Sequence, residues 1–581
     1  MLDAKQILKD VNGHFRSGNL IGILGPSGAG KTTLLNVLAG YINNANISGQ
    51  IVVNNEPRNM HKFKKVSCYI MQEDVLQKQL SVLELMNLAA DLKLGSRFTA
   101  KEKSKIVMTV VQTIGLESCL KTRTESLSGG QSKRLAIALE LIDNPPVMFL
   151  DEPTTGLDNV VAKQCIQLLK TLADQGRTII CTIHQPPDSL FNCFDQVYFM
   201  SQGYCIYSGS VPQMVPFLEA VNLPCATYSS PADYIIELVS TDASRVPILT
   251  QATNNGRTTR ITPKDDRMTI FQNRQTTYTN IFAANCDNDG EKFQNSYLRQ
   301  ISILFRRMCV QMSRNKLMLT IQLAHHIISG LSLGLSFYRI GNDASQILAN
   351  FKFLIAIMVF YCYTYIMSPI LLFPFEIELI KREYFNRWYS LKAYYTALTL
   401  SNIPIMVLFS VIFNVIIYTV TGQPMDVRRF FFFNVICILT SLTAYGFGVT
   451  IGSIFKPTVG ACVGSTIGMY LIVMCIHDMG YGDTIPMPVK VLMLMTFPRQ
   501  GLNGLCVALL RGRPLMDCEN ELFCFIRDPE ELLQLMGMGG VNLYWTIGFL
   551  FGFLIMHRIA AYIALRWKVS GSESKGIFKY L

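Results

Sequence analysis

The chain has 581 residues, of which 50% are hydrophobic and 16% are charged. An ordinary soluble enzyme seldom has so apolar a composition, so we expect two unlike parts, one of them embedded in a membrane. The formal net charge of +11 does not indicate a nucleic-acid partner, because membrane proteins gather Lys and Arg on their cytoplasmic side. Sixteen cysteines in so long a chain are too dilute for a disulfide scaffold, which favours a reduced, cytosolic location for the polar half.

Residues 1–240 alternate short β-rich runs with helix-like segments, the pattern of a parallel α/β sheet. The predicted strands are NLIGILG, VSCYIMQ, PVMFLD, RTIICTIH and QVYFM. Residues 241–294 are rich in Thr, Asn, Asp and Arg, and we expect a flexible polar linker there. Residues 295–316 alternate apolar and basic positions at helical spacing, which predicts an amphipathic connecting helix on a membrane surface, with an ordinary surface helix as the alternative.

Residues 317–581 contain six apolar runs long enough to cross a hydrocarbon core about 30 Å thick, which predicts an all-α membrane domain. The runs lie near residues 317–337, 353–373, 397–420, 430–455, 459–476 and 541–565. Basic residues after the second span favour a cytoplasmic position for that loop and for the α/β domain. The opposing loops also contain arginines, so the charge bias is imperfect: Arg428, Arg429, Arg511 and Arg513.

A phosphate loop follows the first predicted strand, in the pattern G-x-x-x-x-G-K-[ST]. Backbone N–H groups of such a loop surround the phosphates, Lys31 bridges the terminal phosphates, and the Thr32 hydroxyl reaches Mg²⁺. ATP and Mg²⁺ are therefore the predicted cofactors. The predicted phosphate-binding residues are Gly25, Ser27, Gly28, Ala29, Gly30, Lys31, Thr32 and Thr33.

An acidic pair, Asp151 and Glu152, ends the strand PVMFLD. The first carboxylate can serve the metal and the second can polarise a water molecule, although such a pair is as often only a helix cap. Around this pair stand, in order, YIMQED, LSGGQSKRLAIALEL, TTGLD and TIHQP. With the phosphate loop, this set resembles the ATPase of ABC transporters.

The resemblance implies a role for each motif residue. Glu152 and His184 would be catalytic, and Thr32, Gln72 and Asp151 would serve the metal. Asp158 would contact the opposite nucleotide domain. A signature would act on the nucleotide bound by a second domain: Ser128, Gly129, Gly130 and Gln131.

The order of the two domains and several local stretches resemble subfamily G, the White-type half-transporters. These stretches include SPADYIIELVS, which departs from the family motif at Ser230 and Tyr234, and FPFEIELIKREYFNRWYSLKAYY, which resembles a coupling segment. One phosphate loop and one signature imply a dimer, either a homodimer or a heterodimer with another subfamily G chain. The phosphate loop begins at Gly25, leaving less chain than the family uses to stack adenine, so either the product is shortened or incomplete, or adenine is held weakly.

Within subfamily G, the motifs look most like the branch of sterol and phospholipid exporters, so we expect ATP-driven export of such lipids from the plasma membrane or a vesicle membrane. Two alternatives stay open: a heterodimeric transporter of polar pigment precursors, and a regulatory ABC ATPase without transport. Spans two and five are expected to offer an apolar pathway or simply to pack, through Phe353, Phe360, Tyr361, Tyr363, Tyr365, Met469 and Tyr470.

The stretch at about 477–540 is expected to be extracellular, where Cys518 and Cys524 could form a disulfide. Cys506 is either a buried thiol or an intersubunit bridge. His477 and Asp478 open a stretch that departs from subfamily G, and a solvated loop explains them better than a metal site.

Overall fold

The computed structural model describes residues 6–42, 47–225, 230–260, 293–476, 486–518, 524 and 526–570. These residues form two compact units. The first unit contains the described residues up to Ile303 together with Leu379–Ser390, and the second contains Leu304–Glu378 and most of the chain from Leu391 onward. The stretch that includes His477 and Asp478 lies outside the described residues.

The first unit is built on a six-stranded sheet in the order β4-β5-β6-β1-β7-β8, as far as the described residues show. Five strands are parallel, and β8 runs antiparallel to β7. The two short strands β2 and β3 pair separately. The strands are β1 (Leu20–Leu24), β2 (Val52–Val53), β3 (Glu56–Pro57), β4 (Ser67–Ile70), β5 (Val147–Leu150), β6 (Thr178–Thr182), β7 (Gln196–Ser201) and β8 (Tyr204–Gly209).

Helices accompany this sheet, and their ends follow ordinary capping chemistry. Ser81 and Thr99 each close a capping box with a glutamate three residues later, which fixes the starts of α3 (Val82–Leu94) and α4 (Ala100–Ile114). The other helices of this unit are α1 (Lys31–Ala39), α2 (Met60–Val66), α5 (Gly129–Leu141), α6 (Asn159–Asp174), α7 (Asp188–Phe191), α8 (Met214–Ala220), α9 (Pro231–Thr241) and α10 (Arg245–Ala252).

The predicted polar linker is wrong over its first part. Helix α10 lies inside residues 241–294, with Val246 and Leu249 buried. The Asn255 amide donates to the main-chain oxygens of Lys9 and Asp10, at 2.8 and 2.7 Å. Two buried apolar side chains and such main-chain contacts hold a segment whose composition is polar. The rest of the predicted linker, residues 261–292, lies outside the described residues.

The later helices confirm the expected all-α membrane domain. Six helices are long and apolar enough to cross a membrane, by length and composition and among the residues that the structure describes. They are α12 (Lys316–Ser336), α13 (Ile347–Phe385), α14 (Leu391–Val420), α15 (Val427–Ile454), α16 (Pro457–Ile476) and α20 (Leu543–Ser570). The remaining helices are α11 (Tyr297–Arg314), where the connecting helix is predicted, α17 (Met487–Leu494), α18 (Phe497–Leu510) and α19 (Pro529–Leu535).

Helix α18 is a buried helix that the spans do not predict. Its 14 residues are all buried, yet at 1.5 Å per residue it is about 21 Å long, too short to cross a bilayer. Cys506 lies in this helix as a buried free thiol. Further along the chain, a disulfide joins Cys518 and Cys524, whose Cα atoms are 6.2 Å apart.

The residues of the predicted pathway differ in burial, and Phe360 is partly buried. Tyr361 is fully buried and donates to Asn414 at 2.8 Å, and the Asn414 amide donates to Asn434 at 3.0 Å. These bonds satisfy polar groups inside the helix bundle, so they pack helices rather than line an open path. Phe353 and Tyr365 are buried with Tyr361, whereas three others are exposed on this chain: Tyr363, Met469 and Tyr470.

Arg429 and Arg511, two of the arginines that weaken the charge bias, donate to main-chain carbonyls. Arg429, in the first turn of α15, donates to the main-chain oxygens of Leu509, Arg511 and Gly512 at 3.1, 2.9 and 2.9 Å. These oxygens lie at and just beyond the carboxyl end of α18, where main-chain carbonyls lack helical partners. Arg511 in turn donates to the Gly539 oxygen at 2.7 Å.

We therefore predict that Arg429→Ala lowers the stability of the membrane unit, because three carbonyls, two of them half-buried, lose a charged donor. The cost should be about 1–3 kcal/mol, measured as a lower apparent unfolding temperature of the purified chain in nanodiscs. The neighbouring Arg428→Ala is the matched control, because the Arg428 side chain is exposed. Equal unfolding temperatures for the two variants would contradict this role of Arg429.

Candidate nucleotide site

The motif segments meet because four parallel strands end at one edge of the sheet. Strands β4, β5, β6 and β1 are consecutive neighbours. The segments that follow them contain Gln72, the pair Asp151 and Glu152, His184, and the phosphate loop. Ligands of open α/β sheets bind outside the carboxyl ends of the strands, so the sheet order alone places these motifs around one site.

The phosphate loop depends on glycine at its first position. Gly25 has φ +145°, and a Cβ there would lie 2.1 Å from the Met200 carbonyl oxygen. The Lys31 ammonium donates to the carbonyl oxygens of Gly25 and Pro26 at 2.8 and 3.0 Å. Burial lowers the pKa of Lys31, while the charges of Glu152 and Asp151 oppose that shift. The ammonium is thus held against the loop that it is predicted to serve.

The other predicted loop residues occupy the turn between β1 and α1. Gly28 and Gly30 also have positive φ, at +77° and +100°, and Gly30 is the residue before the first turn of α1. Ala29 is buried together with Lys31. The remaining predicted residues are exposed or partly exposed: Ser27, Gly28, Thr32 and Thr33.

The Asp151 carboxylate is held by three hydroxyl groups. Its Oδ1 accepts from Thr182 Oγ1 at 2.6 Å and from Thr32 Oγ1 at 3.2 Å. Its Oδ2 lies 3.4 Å from the Tyr69 hydroxyl. Burial raises the pKa of Asp151, and the bonds from Thr182 and Thr32 counter that rise. The structure therefore brings the predicted metal residues Thr32 and Asp151 together.

Glu152 is oriented by its own set of contacts. Its Oε2 accepts from Gln72 Nε2 and from Thr155 Oγ1, both at 2.9 Å. Its main-chain N–H donates to Thr182 Oγ1 at 2.9 Å, and its φ is +45°, in the left-handed region. A non-glycine residue in that region often marks a functional site. The structure thus joins Gln72 to Glu152, although the sequence assigns Gln72 to the metal.

The signature residues begin helix α5. Ser128 accepts from the Gln131 N–H at 3.3 Å, and the Gln131 side chain accepts from the Ser128 N–H at 3.0 Å, so the pair forms a capping box. Ser128 and Gly129 are exposed. A Cβ on Gly130 would lie 2.3 Å from Val161 Cγ1, which explains glycine there.

Two predicted residues stand apart from the acidic pair. Asp158 caps helix α6 by accepting from the Val161 N–H at 2.7 Å. His184 follows β6 and its side chain is exposed. Within the described residues, the structure places neither side chain in a hydrogen bond to Asp151 or Glu152.

Sequence reasoning missed three residues that contact the acidic pair. Thr155, which lies in the motif TTGLD but was given no role, donates to Glu152. Thr182 is fully buried and bridges the Asp151 carboxylate to the Glu152 main chain. Tyr69 reaches the same carboxylate from β4. The signal for Thr182 was a hydroxyl at the end of a mainly apolar strand, two residues before His184. Tyr69 gave no comparable signal, because tyrosine is a common strand residue.

The oxygen donors fit Mg²⁺ as a cofactor. Mg²⁺ prefers one or two carboxylates together with substrate phosphates and water, and here a hydroxyl and a carboxylate lie 3.2 Å apart beside the phosphate loop. No cluster of three or more His, Cys, Asp or Glu side chains that could hold a metal ion occurs among the described residues. Mg²⁺ bound with ATP would offset the charge of the phosphates.

Comparison with known proteins gives two family matches. Residues 8–155 match the model described as ABC transporter, and residues 299–481 match the model described as ABC-2 type transporter. The chain is 30% identical over 473 residues to the broad substrate specificity ATP-binding cassette transporter ABCG2 of Mus musculus, covering 77% of this chain and 72% of that protein.

Two further relatives extend over nearly the whole chain. It is 28% identical to ABC transporter G family member 7 of Arabidopsis thaliana, over 96% of this chain and 78% of that protein. It is 27% identical to the ABC transporter ATP-binding protein/permease wht-1 of Caenorhabditis elegans, over 97% of this chain and 87% of that protein. The chain belongs to the G family of ABC transporters. It is a multi-pass membrane protein that couples ATP hydrolysis to transport.

We predict that Thr182→Val lowers ATP turnover about 10- to 100-fold, because the isosteric change removes the bridge between Asp151 and the Glu152 main chain. Thr182→Ser, which keeps the hydroxyl, should stay within a few-fold of wild type. Steady-state phosphate release by the purified chain measures both. If Thr182→Val had the same turnover as Thr182→Ser, the bridge would not contribute to ATP hydrolysis.

Proposed function

We propose that this chain is a half-transporter that dimerises and exports sterols, phospholipids or related hydrophobic molecules. Each ATP would bind the phosphate loop of one chain and the signature of the other. Exposure of Ser128 and Gly129 at the start of α5 supports this arrangement, because it leaves the helix N-terminus open to a phosphate of a second chain. Asp158, exposed at the start of α6, would contact the opposite domain.

Within one site, we assign each chemical role to residues whose positions were described above. Thr32 and Asp151 would hold Mg²⁺, with Gln72 nearby. Glu152 would orient and polarise the attacking water, and its bonds to Gln72 and Thr155 fix where that carboxylate points. His184, exposed beyond β6, would sense the terminal phosphate. A positioned general base contributes about 100- to 10,000-fold to a rate.

The segment Leu379–Ser390 would pass the closure of the nucleotide domains to the spans. It belongs to the first unit although it lies between two spans in the sequence. Arg382 donates to the Val75 carbonyl at 2.7 Å, and the Trp388 indole donates to Glu140 at 3.2 Å. Glu140 is fully buried and pairs with Lys93 at 2.6 Å. Because these contacts hold the segment against the nucleotide domain, the two would move together.

The proposed lipid substrate is supported by the apolar character of the second and fifth spans. Residues 353–373 and helix α16 contain no Asp, Glu, Lys or Arg. Tyr363, Met469 and Tyr470 are exposed on this chain, so they are available to a hydrophobic molecule or to a second chain. An ion would instead need charged or carbonyl ligands at mid-membrane depth. The plasma membrane or a vesicle membrane, with the ATPase in the cytosol, would suit this export.

The test is ATP hydrolysis by the chain, expressed alone and reconstituted in lipid nanodiscs, with and without added sterol. We expect a dimer with sterol-stimulated turnover, and a loss of about 100-fold or more in Glu152→Gln. Glu219→Gln, an exposed carboxylate on α8, is the matched control and should keep wild-type turnover.

Each negative result would contradict a different part of the proposal. An active dimer that does not respond to sterol or phospholipid would contradict the substrate class. Because the mouse relative is named for broad substrate specificity, other hydrophobic compounds belong in the same assay. A folded dimer without turnover would contradict the homodimer and indicate a partner chain.

A further inference from the structure

Strand β4 lies at the edge of the sheet, and a side chain completes its hydrogen bonding. The Tyr69 N–H donates to Asn386 Oδ1, and Asn386 Nδ2 donates to the Tyr69 carbonyl oxygen, both at 2.9 Å. The next residue, Ile70, accepts from the Asp151 N–H at 2.9 Å on the side of β5. The Asn386 amide thus takes the place of a neighbouring strand residue at a position where main-chain groups would otherwise be unpaired.

The Tyr69 side chain extends from that same residue to the nucleotide site. Its hydroxyl lies 2.7 Å from Asn36 Oδ1 and 3.4 Å from Asp151 Oδ2. Its ring stacks on Tyr41 with centroids 5.4 Å apart, and Phe385, the neighbour of Asn386, packs edge-on at 6.0 Å.

This geometry makes the contact with Asp151 sensitive to small shifts. The hydroxyl has one proton and two acceptors, and the 3.4 Å contact is near the limit at which an O–H···O bond remains useful. Because the ring is buried and Asn386 bonds both main-chain groups of Tyr69, a displacement of Asn386 would act on the hydroxyl through Tyr69. Gln72, three residues later on the same segment, contacts Glu152, so both carboxylates are reached from one stretch of chain.

We propose that Tyr69 is a positioning residue that ties the place of the segment Leu379–Ser390 to the place of the Asp151 carboxylate. This rests on the proposed role of Asp151 in holding Mg²⁺. When Asn386 shifts, the Tyr69 hydroxyl strengthens or loses its contact with Asp151, and the affinity of the site for Mg²⁺ changes. The same link works in reverse, so binding of Mg²⁺ and nucleotide alters the protection of Leu379–Ser390 from hydrogen exchange.

The experiment uses the full chain in lipid nanodiscs and a non-hydrolysable fluorescent ATP analogue. The Mg²⁺ concentration that gives half-maximal tight binding is measured, together with binding in EDTA. Tyr69→Phe and Asn386→Ala are each tested and then combined. Tyr207→Phe is the matched control, because its buried hydroxyl donates to the Ser210 carbonyl at 2.7 Å in β8, at the far edge of the same sheet.

We expect Tyr69→Phe and Asn386→Ala each to raise the half-saturating Mg²⁺ about two- to tenfold, with binding in EDTA unchanged. The double variant should shift it no further than the larger single effect, because both changes break one link. Tyr207→Phe should leave it at the wild-type value. Hydrogen exchange should show that Mg²⁺ and the analogue protect Leu379–Ser390 less in Tyr69→Phe than in wild type.

Additive shifts in the double variant, or a Tyr69→Phe chain with wild-type Mg²⁺ dependence and wild-type protection of the segment, would overturn the proposal. Asp151→Asn separates this from failure of the proposed function. If Asp151→Asn leaves the Mg²⁺ dependence unchanged, the assigned metal role is wrong. If it shifts the dependence and Tyr69→Phe does not, only the positioning role is wrong. The assay contains no transport substrate, so its result is independent of the lipid assignment.

Discussion

A carboxylate buried at the end of a strand has to be matched by hydrogen-bond donors, and the nucleotide unit is organised around that requirement. Burial of an ionised carboxylate without such partners costs several kcal/mol. Asp151 receives its donors from the start of α1, from the end of β6 and from β4. Because each donor comes from a different element, the position of one side chain depends on the register of three neighbouring strands. In this unit, the geometry of the proposed catalytic site therefore depends directly on the packing of the sheet.

The two units satisfy buried polar groups in different ways. In the nucleotide unit, charged groups are buried in pairs, as with Lys93 and Glu140, and both the sheet and the helices pair the main chain. In the membrane unit, helices satisfy their own main chains, and several of the buried polar side chains are neutral, as Tyr361, Asn414 and Asn434 are. Arginines of that unit instead serve the carbonyls that helix ends leave unpaired.

Much of this architecture could be predicted from the sequence, because the spacing of apolar residues and the sequence motifs are local signals. The five parallel strands and six apolar helices appear where alternation and run length place them. Strand β8 is absent from the predicted strands, although Tyr204, Ile206 and Tyr207 favour a strand and the two-residue turn Gln202 and Gly203 precedes it. Helix α10 was hidden in a polar composition, and α18 is too short to resemble a span. Thr182 and Tyr69 act through contacts between strands far apart in sequence, which no local pattern encodes.

The amide that covers the edge of β4 also imposes an order on biosynthesis. Tyr69 and Asn386 are 317 residues apart in the chain, so the sheet emerges from the ribosome long before its edge can be closed. Until the second span has been made, β4 presents unpaired main-chain groups, the feature by which sheets recruit other strands and aggregate. A nascent chain of this kind needs protection for its open edge while its first spans enter the bilayer. A truncation that ends before residue 386 would leave that edge exposed permanently, however complete its motifs.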